Sequence, residues 1–245
     1  MSLSDSMDAM RAKRMLLEEL IEHPERLGPD FQPIKRLDDD TVVGYKATGR
    51  GQQGTELDST LALLESAQGL GLVERLDWAF RCHAFDVMVE RGPDVELYIT
   101  PEPETYGGAC PPRLAAAFGR GKRQLKVAAE VPADAFADPA RTVSGVAEYR
   151  GWGWRVVADD VSEVPGAVDV LERLRPEVVK LDLARPGRTG TPSAGEAAML
   201  EWARSAGAIV MAVNVDTEVG RAAAVQAGAT IARGRLLGPP GPLPV

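Results

Sequence analysis

Apolar residues along the chain occur in short runs that alternate with amphipathic segments. The clearest unit spans residues 153–182, where two runs, 154–158 and 178–181, are apolar almost without alternation. Such runs are typical of parallel strands that are buried on both faces. The segment between them, 164–174, is long enough for a helix. The pattern therefore predicts a strand, a crossover helix and a second parallel strand.

The same alternation extends over most of the chain. Strands are predicted at 30–36, 41–47, 95–100, 124–130, 154–158, 178–181, 208–214 and 230–232, and helices at 7–27, 58–68, 72–90, 113–118, 142–149, 164–174, 194–206 and 218–226. The first two strands form a hairpin around a turn at 38–40. Eight strands are the number that closes a barrel, so we predict an α/β fold with a TIM-like (β/α)8 barrel. A doubly wound open sheet is the alternative, but no Gly-x-Gly-x-x-Gly follows the first strand.

The length of 245 residues suits one α/β barrel or two small domains, and no linker interrupts it. We predict an N-terminal helical segment at 1–28 and a barrel domain at 29–245. The N-terminal helix is expected to pack against the barrel, and dimerisation or docking through it is the alternative. Gly and Pro dominate the last eight residues, which predicts a surface tail.

The composition limits the classes of function. A net charge of −8 argues against a nucleic-acid partner, because binding to a nucleic-acid backbone needs dense Lys and Arg contacts. No apolar run approaches the roughly 18 residues that span a membrane, and the first residues lack the apolar core of a signal peptide. With only Cys82 and Cys110, no disulfide framework is indicated. We expect a cytoplasmic protein without a nucleic-acid or membrane partner; a small phosphate ligand is compatible with this charge.

Charged residues close both strands of the central unit. Asp159 and Asp160 end the first strand, and Lys180 and Asp182 end the second. The carboxyl ends of parallel strands meet at one mouth, so these groups predict a metal or phosphate site there. Helix capping is the alternative role for either residue of the aspartate pair. Lys180 and Asp182 face the same side of an apolar strand, where each must be paired or functional because burying a lone charge is costly.

Five stretches of the chain, taken together in their order, identify a protein family more specifically than any one of them does alone. They are FQPIKRLDDDTVVGYKATGRG at 31–51, ADD at 158–160, VVKLDL at 178–183, MAVNVDT at 211–217 and RGRLLGPP at 233–240. Together they resemble the EAL domain, the cyclic di-GMP phosphodiesterase module of bacteria, over roughly residues 30–240. The resemblance implies a TIM-like barrel whose first strand runs antiparallel.

In this family, metal ions held by carboxylates and an Asn activate water against a phosphodiester, with a Lys assisting. The resemblance implies that the chain retains the metal-ligand positions Glu130, Asp159, Asp160 and Asp182, and the assisting lysine at Lys180. It also implies ligand-binding positions at Gln32, Arg50 and Arg233, with Arg50 as a phosphate contact and Arg233 in place of a family Gln. These roles in the metal ring are expected to be vestigial.

Four further positions depart from the family pattern. The Glu that names the family is replaced by Lys46, the Asn ligand aligns with Tyr98, and the two Glu residues of a later motif align with Val213 and Asp216. The loop at 161–165 also lacks the glycines that the family has there.

Lys46 has the largest consequence, because it replaces a carboxylate by an ammonium group. Two like charges ~4 Å apart repel by ~4 kcal/mol at an effective dielectric of about 20, and a divalent ion would meet about twice that. With the Asn and a Glu also missing, too few oxygen ligands remain for two metal ions. We expect Lys46 to lie among the remaining carboxylates as an internal counter-ion.

The sequence therefore predicts a degenerate EAL-type signalling protein without phosphodiesterase activity and without a cofactor. It would act as a receptor for cyclic di-GMP, or as a module that binds a protein partner or a second copy of itself. One alternative is an active phosphodiesterase that uses Mg or Mn in a reduced metal site. Another is a structural partner protein that binds no nucleotide.

Overall fold

The computed structural model describes residues 3–92, 94–184 and 192–244. Within them, eight strands form a closed barrel in chain order. The strands are β1 (Gly28–Arg36), β2 (Val42–Arg50), β3 (Glu96–Ile99), β4 (Lys126–Pro132), β5 (Arg155–Asp159), β6 (Val178–Asp182), β7 (Ile209–Val213) and β8 (Ile231–Ala232). The α-helices are α1 (Leu3–Glu22), α2 (Thr60–Leu70), α3 (Val73–Arg91), α4 (Ala115–Gln124), α5 (Pro139–Gly151), α6 (Ala167–Leu174), α7 (Ala194–Ala206) and α8 (Glu218–Gln226).

The first strand runs against both of its neighbours. β1 pairs antiparallel with β2 and β8, and every other neighbouring pair in the barrel is parallel. The hairpin turn between β1 and β2 is closed by Asp39, whose Oδ1 accepts the Thr41 N–H at 2.9 Å. Asp40 takes the left-handed conformation with φ 60°. The predicted TIM-like barrel with an antiparallel first strand is confirmed.

The apolar residues form layers on both faces of the strands. Inside the barrel, Ile34, Tyr98, Ala128, Val157, Val178, Met211, Val213 and Ile231 pack together. On β3, Tyr98 faces this inner core while Leu97 and Ile99 pack outward beneath the helices. Burial on both faces explains why the strands read as unbroken apolar runs.

Helix boundaries differ from the sequence prediction where glycine and 3-10 turns intervene. The helix predicted at 164–174 begins only at Ala167, because a 3-10 turn at Val161–Glu163 and Gly166 with φ 76° precede it. The helix predicted at 113–118 runs from Ala115 to Gln124. A Cβ at Gly121 would lie 2.3 Å from the Phe85 ring, so glycine there permits close packing of α4 on α3.

The last turns of α1 and the C-terminal segment both pack on the rest of the domain. In α1, Leu17, Leu20 and Ile21 are fully buried in a cluster shared with α2 and α3. The expectation of a surface tail was wrong for Leu243, which is 3% exposed and whose carbonyl accepts a 2.8 Å hydrogen bond from Arg91. Among the described residues, no helix has the length and apolar character to cross a bilayer.

Candidate functional site

Four charged side chains meet inside the barrel mouth. Lys46 Nζ lies 3.0 Å from Glu130 Oε2, and Lys180 Nζ lies 3.2 Å from the same oxygen and 2.6 Å from Asp159 Oδ2. Glu130 is 1% exposed, and both lysines are 6% exposed. Two ammonium groups and two carboxylates sum to zero charge, so the group is neutral as a unit. We call these four residues, together with Thr100, the ionic cluster.

Thr100 completes the cluster, and sequence reasoning missed it. Its hydroxyl accepts a hydrogen bond from Lys46 Nζ and donates one of 2.9 Å to Glu130 Oε2. Tyr98, which the alignment placed at this point of the ring, instead lies in the inner core, and a Cβ on Gly44 would be 2.8 Å from its ring. Residues two apart face the same side of a strand. Thr100 is two positions after Tyr98, so this alternation could have identified it as the next residue on the inner face.

The electrostatics of the cluster follow from burial and from an excess of cations around one carboxylate. Burial alone would raise the pKa of Glu130, but Lys180, Lys46 and Arg233 outweigh it and lower the pKa. Burial lowers the pKa of Lys46, and the nearby Lys180 and Arg233 lower it further against the attraction of Glu130. Glu130 is therefore held as a carboxylate by the two ammonium groups.

A polar cleft of about 250 Å³ adjoins the cluster at the ends of β5 to β8. It is lined by Asp159, Asp160, Ser162, Lys180, Asp182, Val213, Asn214 and Arg233. Asp182 Oδ1 accepts hydrogen bonds of 2.8 Å from both Asn214 Nδ2 and the Ala184 N–H. Val213 supplies only methyl groups to this cleft. The structure thus brings the charged strand ends of the sequence analysis to one mouth.

Asp160 and Asn214 both adopt the left-handed backbone conformation in the cleft wall, with φ 56° and 59°. Asp and Asn tolerate this region better than other non-glycine residues. The loop after the aspartate pair therefore makes its turn at Asp160, and residues 161–165 contain no glycine.

Arg233 reaches the mouth because the chain after β8 passes very close to the end of β7. A Cβ at Gly234 would lie 2.2 Å from the Val215 carbonyl oxygen, so only glycine fits there. Arg233 Nη1 donates to Gln32 Oε1 at 3.0 Å, and Gln32 Nε2 donates to the Gly238 carbonyl at 3.2 Å. The two predicted ligand-binding residues Gln32 and Arg233 therefore contact each other.

Two other predicted positions lie apart from the cleft. Asp216 pairs with Arg235, with 2.7 Å between Oδ2 and Nη2. Arg50 lines a separate cavity of about 540 Å³, where it forms ion pairs of 3.4 Å with Asp30 and 2.8 Å with Asp58. Both partners would compete with a phosphate for the Arg50 guanidinium.

The residues at the mouth do not fit the two-metal centre that the resemblance implies. Within the described ranges, no three His, Cys, Asp or Glu side chains are arranged to hold a metal ion. Glu130 Oε2 is surrounded by Lys46, Lys180 and Thr100, and Asp182 accepts two N–H donors. A divalent ion at Glu130 would face two ammonium groups, which repel it.

The sequence pattern of the EAL domain matches residues 13–240 of the chain. No curated protein matches the chain at a significant level. Among solved structures, the Xanthomonas citri FimX EAL domain in complex with c-diGMP has a TM-score of 0.82 at 18% identity, covering 98% of this chain and 97% of that chain.

Two further structures share the fold. The FimX EAL domain from Pseudomonas aeruginosa bound to c-di-GMP has a TM-score of 0.76 at 16% identity, over 94% of this chain and 97% of that chain. The Bacillus subtilis YkuI protein, in complex with substrate c-di-GMP and calcium, has a TM-score of 0.73 at 17% identity, over 94% and 58%. At these identities the likeness concerns the fold.

Proposed function

Because the chain belongs to the EAL domain family, we propose that it is a degenerate signalling member that binds cyclic di-GMP without hydrolysing it. The observation that carries this proposal is the buried contact of 3.0 Å between Lys46 Nζ and Glu130 Oε2. An ammonium group stands where the family resemblance implies a metal-binding carboxylate. Asp159 pairs with Lys180, and Asp182 accepts two N–H donors.

Hydrolysis of a phosphodiester by two metals requires both ions to contact the substrate phosphate. Here Lys46 and Lys180 neutralise Glu130 and Asp159. Val213 adds no oxygen ligand on β7. The chain therefore lacks both the net negative charge and the number of oxygen ligands that two divalent ions need.

Binding of a nucleotide phosphate does not require these ions. Lys180 and Arg233 both line the polar cleft, and the Nε of Arg233 is buried without a hydrogen-bond partner among the described residues. A charge-assisted hydrogen bond to phosphate contributes roughly 1.5–3 kcal/mol. The two FimX EAL domains and the YkuI protein are complexes with cyclic di-GMP, which supports the same ligand class for this chain.

The alternative of an active phosphodiesterase with a reduced metal site rests on the retained cleft residues Asp159, Asp160 and Asp182. The two functions separate in one experiment, in which the protein is incubated with cyclic di-GMP and Mg²⁺ or Mn²⁺. Chromatography then follows the linear dinucleotide, and calorimetry follows binding with and without chelator. We expect no turnover, and binding that the chelator leaves unchanged.

Arg233→Ala should weaken binding about tenfold or more, the loss expected for one charge-assisted hydrogen bond. Arg50→Ala should weaken it less, because Asp30 and Asp58 already neutralise this guanidinium. Arg235→Ala is the matched control, since Arg235 pairs with Asp216 outside the cleft.

Lys46→Glu alone should not create a phosphodiesterase, because Thr100 and Val213 still supply neither a carboxylate nor an amide at the mouth. Robust turnover by this variant, or linear product formed by the wild type in proportion to its concentration, would show that the metal ring is functional. Binding that disappears with the chelator would indicate a metal-dependent receptor instead.

A further inference from the structure

A third cavity lies between β2 and the helices α2 and α3, and it is mostly apolar. Its volume is about 260 Å³. It is lined by Leu27, Lys46, Ala47, Thr48, Gly49, Thr60, Leu63, Leu64, Leu76, Asp77, Phe80, Thr100 and Glu102. We call it the apolar cavity. It shares Lys46 and Thr100 with the ionic cluster but is not part of the polar cleft.

The walls of the apolar cavity are formed mainly by hydrocarbon side chains. Leu63 and Leu76 are buried, and the Phe80 ring packs against the backbone of β2, 3.0 Å from where a Cβ on Gly49 would lie. A cavity of about 150 Å³ lined by apolar side chains is large enough to bind benzene. The apolar cavity is larger than that, which is enough space for two fused rings.

The polar end of this cavity has one unsatisfied group. Lys46 contacts Glu130 and Thr100. The Thr60 hydroxyl donates a hydrogen bond of 2.5 Å to the Gly49 carbonyl. Asp77 forms an ion pair with Arg81. The carboxyl group of Glu102 has no hydrogen bond or ion pair with any described residue. It is the polar group that remains available to a ligand.

The charges that face Glu102 are mainly negative. Burial raises its pKa to about 7, and Asp77, Glu104 and Asp134 raise it in the same direction, while Lys46 acts against them. Arg81 neutralises Asp77 by direct contact, so the net negative charge acting on Glu102 comes from Glu104 and Asp134. A ligand cation placed there would relieve this repulsion and gain a charge-assisted hydrogen bond.

We propose that the apolar cavity is a second ligand site, for a bicyclic aromatic compound that carries an ammonium group. The rings lie against Leu63, Leu64 and Phe80, and the ammonium group donates to the Glu102 carboxylate. Burial of an aromatic ring among leucines supplies the affinity, and the single carboxylate supplies the preference for a cation.

The test uses three probes with the same ring system: tryptamine, which carries an ammonium group; indole, which is neutral; and indole-3-acetate, which carries a carboxylate. Calorimetry of the full chain at pH 8 should rank their affinities in that order. Glu102→Gln should weaken tryptamine about tenfold while changing indole less than about twofold, because only tryptamine makes the charge-assisted bond. Glu65→Gln, a change at an exposed position on α2 outside the cavity lining, is the matched control.

A second variant tests the cavity walls. Leu64→Trp places a large ring into the cavity and should abolish binding of both tryptamine and indole. Leu61→Trp makes the same change on the same helix at a side chain that is 66% exposed, and it should leave binding unchanged. The Glu102→Gln result stands by itself if the Leu64→Trp variant does not fold.

Three results would overturn the proposal: no binding of any probe at millimolar concentration, equal affinity for tryptamine and indole-3-acetate, or binding that Leu64→Trp leaves intact. These results are independent of the cyclic di-GMP measurements, because Glu102→Gln and Leu64→Trp leave Lys180 and Arg233 of the polar cleft unchanged.

Discussion

Two glutamates near the barrel mouth, Glu130 and Glu102, differ in what surrounds them. Burial acts on both in the same direction and raises the pKa of a carboxyl group. Glu130 ends with a lowered pKa because Lys46 and Lys180 contact it. Glu102 ends with a pKa raised to about 7 because burial raises it and the neighbouring carboxylates add to the rise. Burial therefore sets the direction of the pKa shift at Glu102, and the contacting cations reverse it at Glu130.

Lys46 links the two glutamates. Its Nζ contacts Glu130 and Thr100 in the ionic cluster, and the same residue lines the apolar cavity that contains Glu102. Because the ammonium group is committed to Glu130, Glu102 gains only a longer-range attraction. Lys46 thus forms an ion pair with one carboxylate and leaves the other without an ion pair among the described residues.

The largest expected effect is the loss of the carboxylate of Glu130. Glu130→Gln leaves Lys46 and Lys180 buried with Asp159 as the only anion of the cluster. Breaking one side of a buried charge pair typically costs ~3–5 kcal/mol in the free energy of unfolding. Urea unfolding measures this difference.

Glu65→Gln, at an exposed position on α2, is its control and should change stability by less than about 0.5 kcal/mol. A Glu130→Gln protein as stable as this control would mean that the ionic cluster contributes nothing to folding.

A smaller loss is expected for Lys46→Met, because Glu130 keeps Lys180 and Thr100 as partners. We expect about 1–3 kcal/mol, which at roughly 2–4 °C per kcal/mol lowers the melting temperature by several degrees. Mg²⁺ should partly restore the variant, since a divalent ion can occupy the vacated place and stabilise the folded state by mass action. Thermal melts with and without the ion test both statements.

Lys126→Met is the matched control for Lys46, because the Lys126 side chain is 66% exposed and pairs with Asp94 at the surface. Its melting temperature should hardly change. A wild type that Mg²⁺ stabilises strongly, or a Lys46→Met variant indifferent to both mutation and ion, would place Lys46 outside the metal position.

The smallest expected effect is the pH dependence that Glu102 contributes. Its folded pKa of about 7 lies above its ordinary value of 4.5, so the folded state holds the proton more tightly than the unfolded state. Stability is thus lost as pH rises from about 4.5 through 7, and the loss is complete above that range. Partial solvent exposure of Glu102 keeps the effect small.

Glu102→Gln removes this titration. The variant should therefore be more stable than the wild type, and the difference in the free energy of unfolding should be larger at pH 8 than at pH 5. The readout is urea unfolding of both proteins at the two pH values. A constant difference between them would show that Glu102 has an ordinary pKa in the folded protein.

Local patterns in the chain were enough to predict most of the fold. Unbroken apolar runs at 154–158 and 178–181 fall on β5 and β6, and the turn at 38–40 marks the hairpin of β1 and β2. These patterns depend on neighbours a few residues apart, which is why they can be read from sequence. They missed the 3-10 turn before α6 and the full length of α4, where close helix packing tolerates Gly121 inside the helix.

The sequence by itself determined which strand ends carry charge, because Asp159, Lys180 and Asp182 follow apolar runs whose carboxyl ends share one mouth. Only the tertiary structure decided which charges meet. Closing the barrel pairs Lys46 with Tyr98 across β2 and β3, and the Lys46 side chain reaches past Tyr98 to bond with Thr100. The same closure joins Lys46 to Glu130, 84 positions further along the chain. Contacts between such distant residues depend on the register of every intervening strand. A pattern of a few neighbouring residues does not determine all of these registers together.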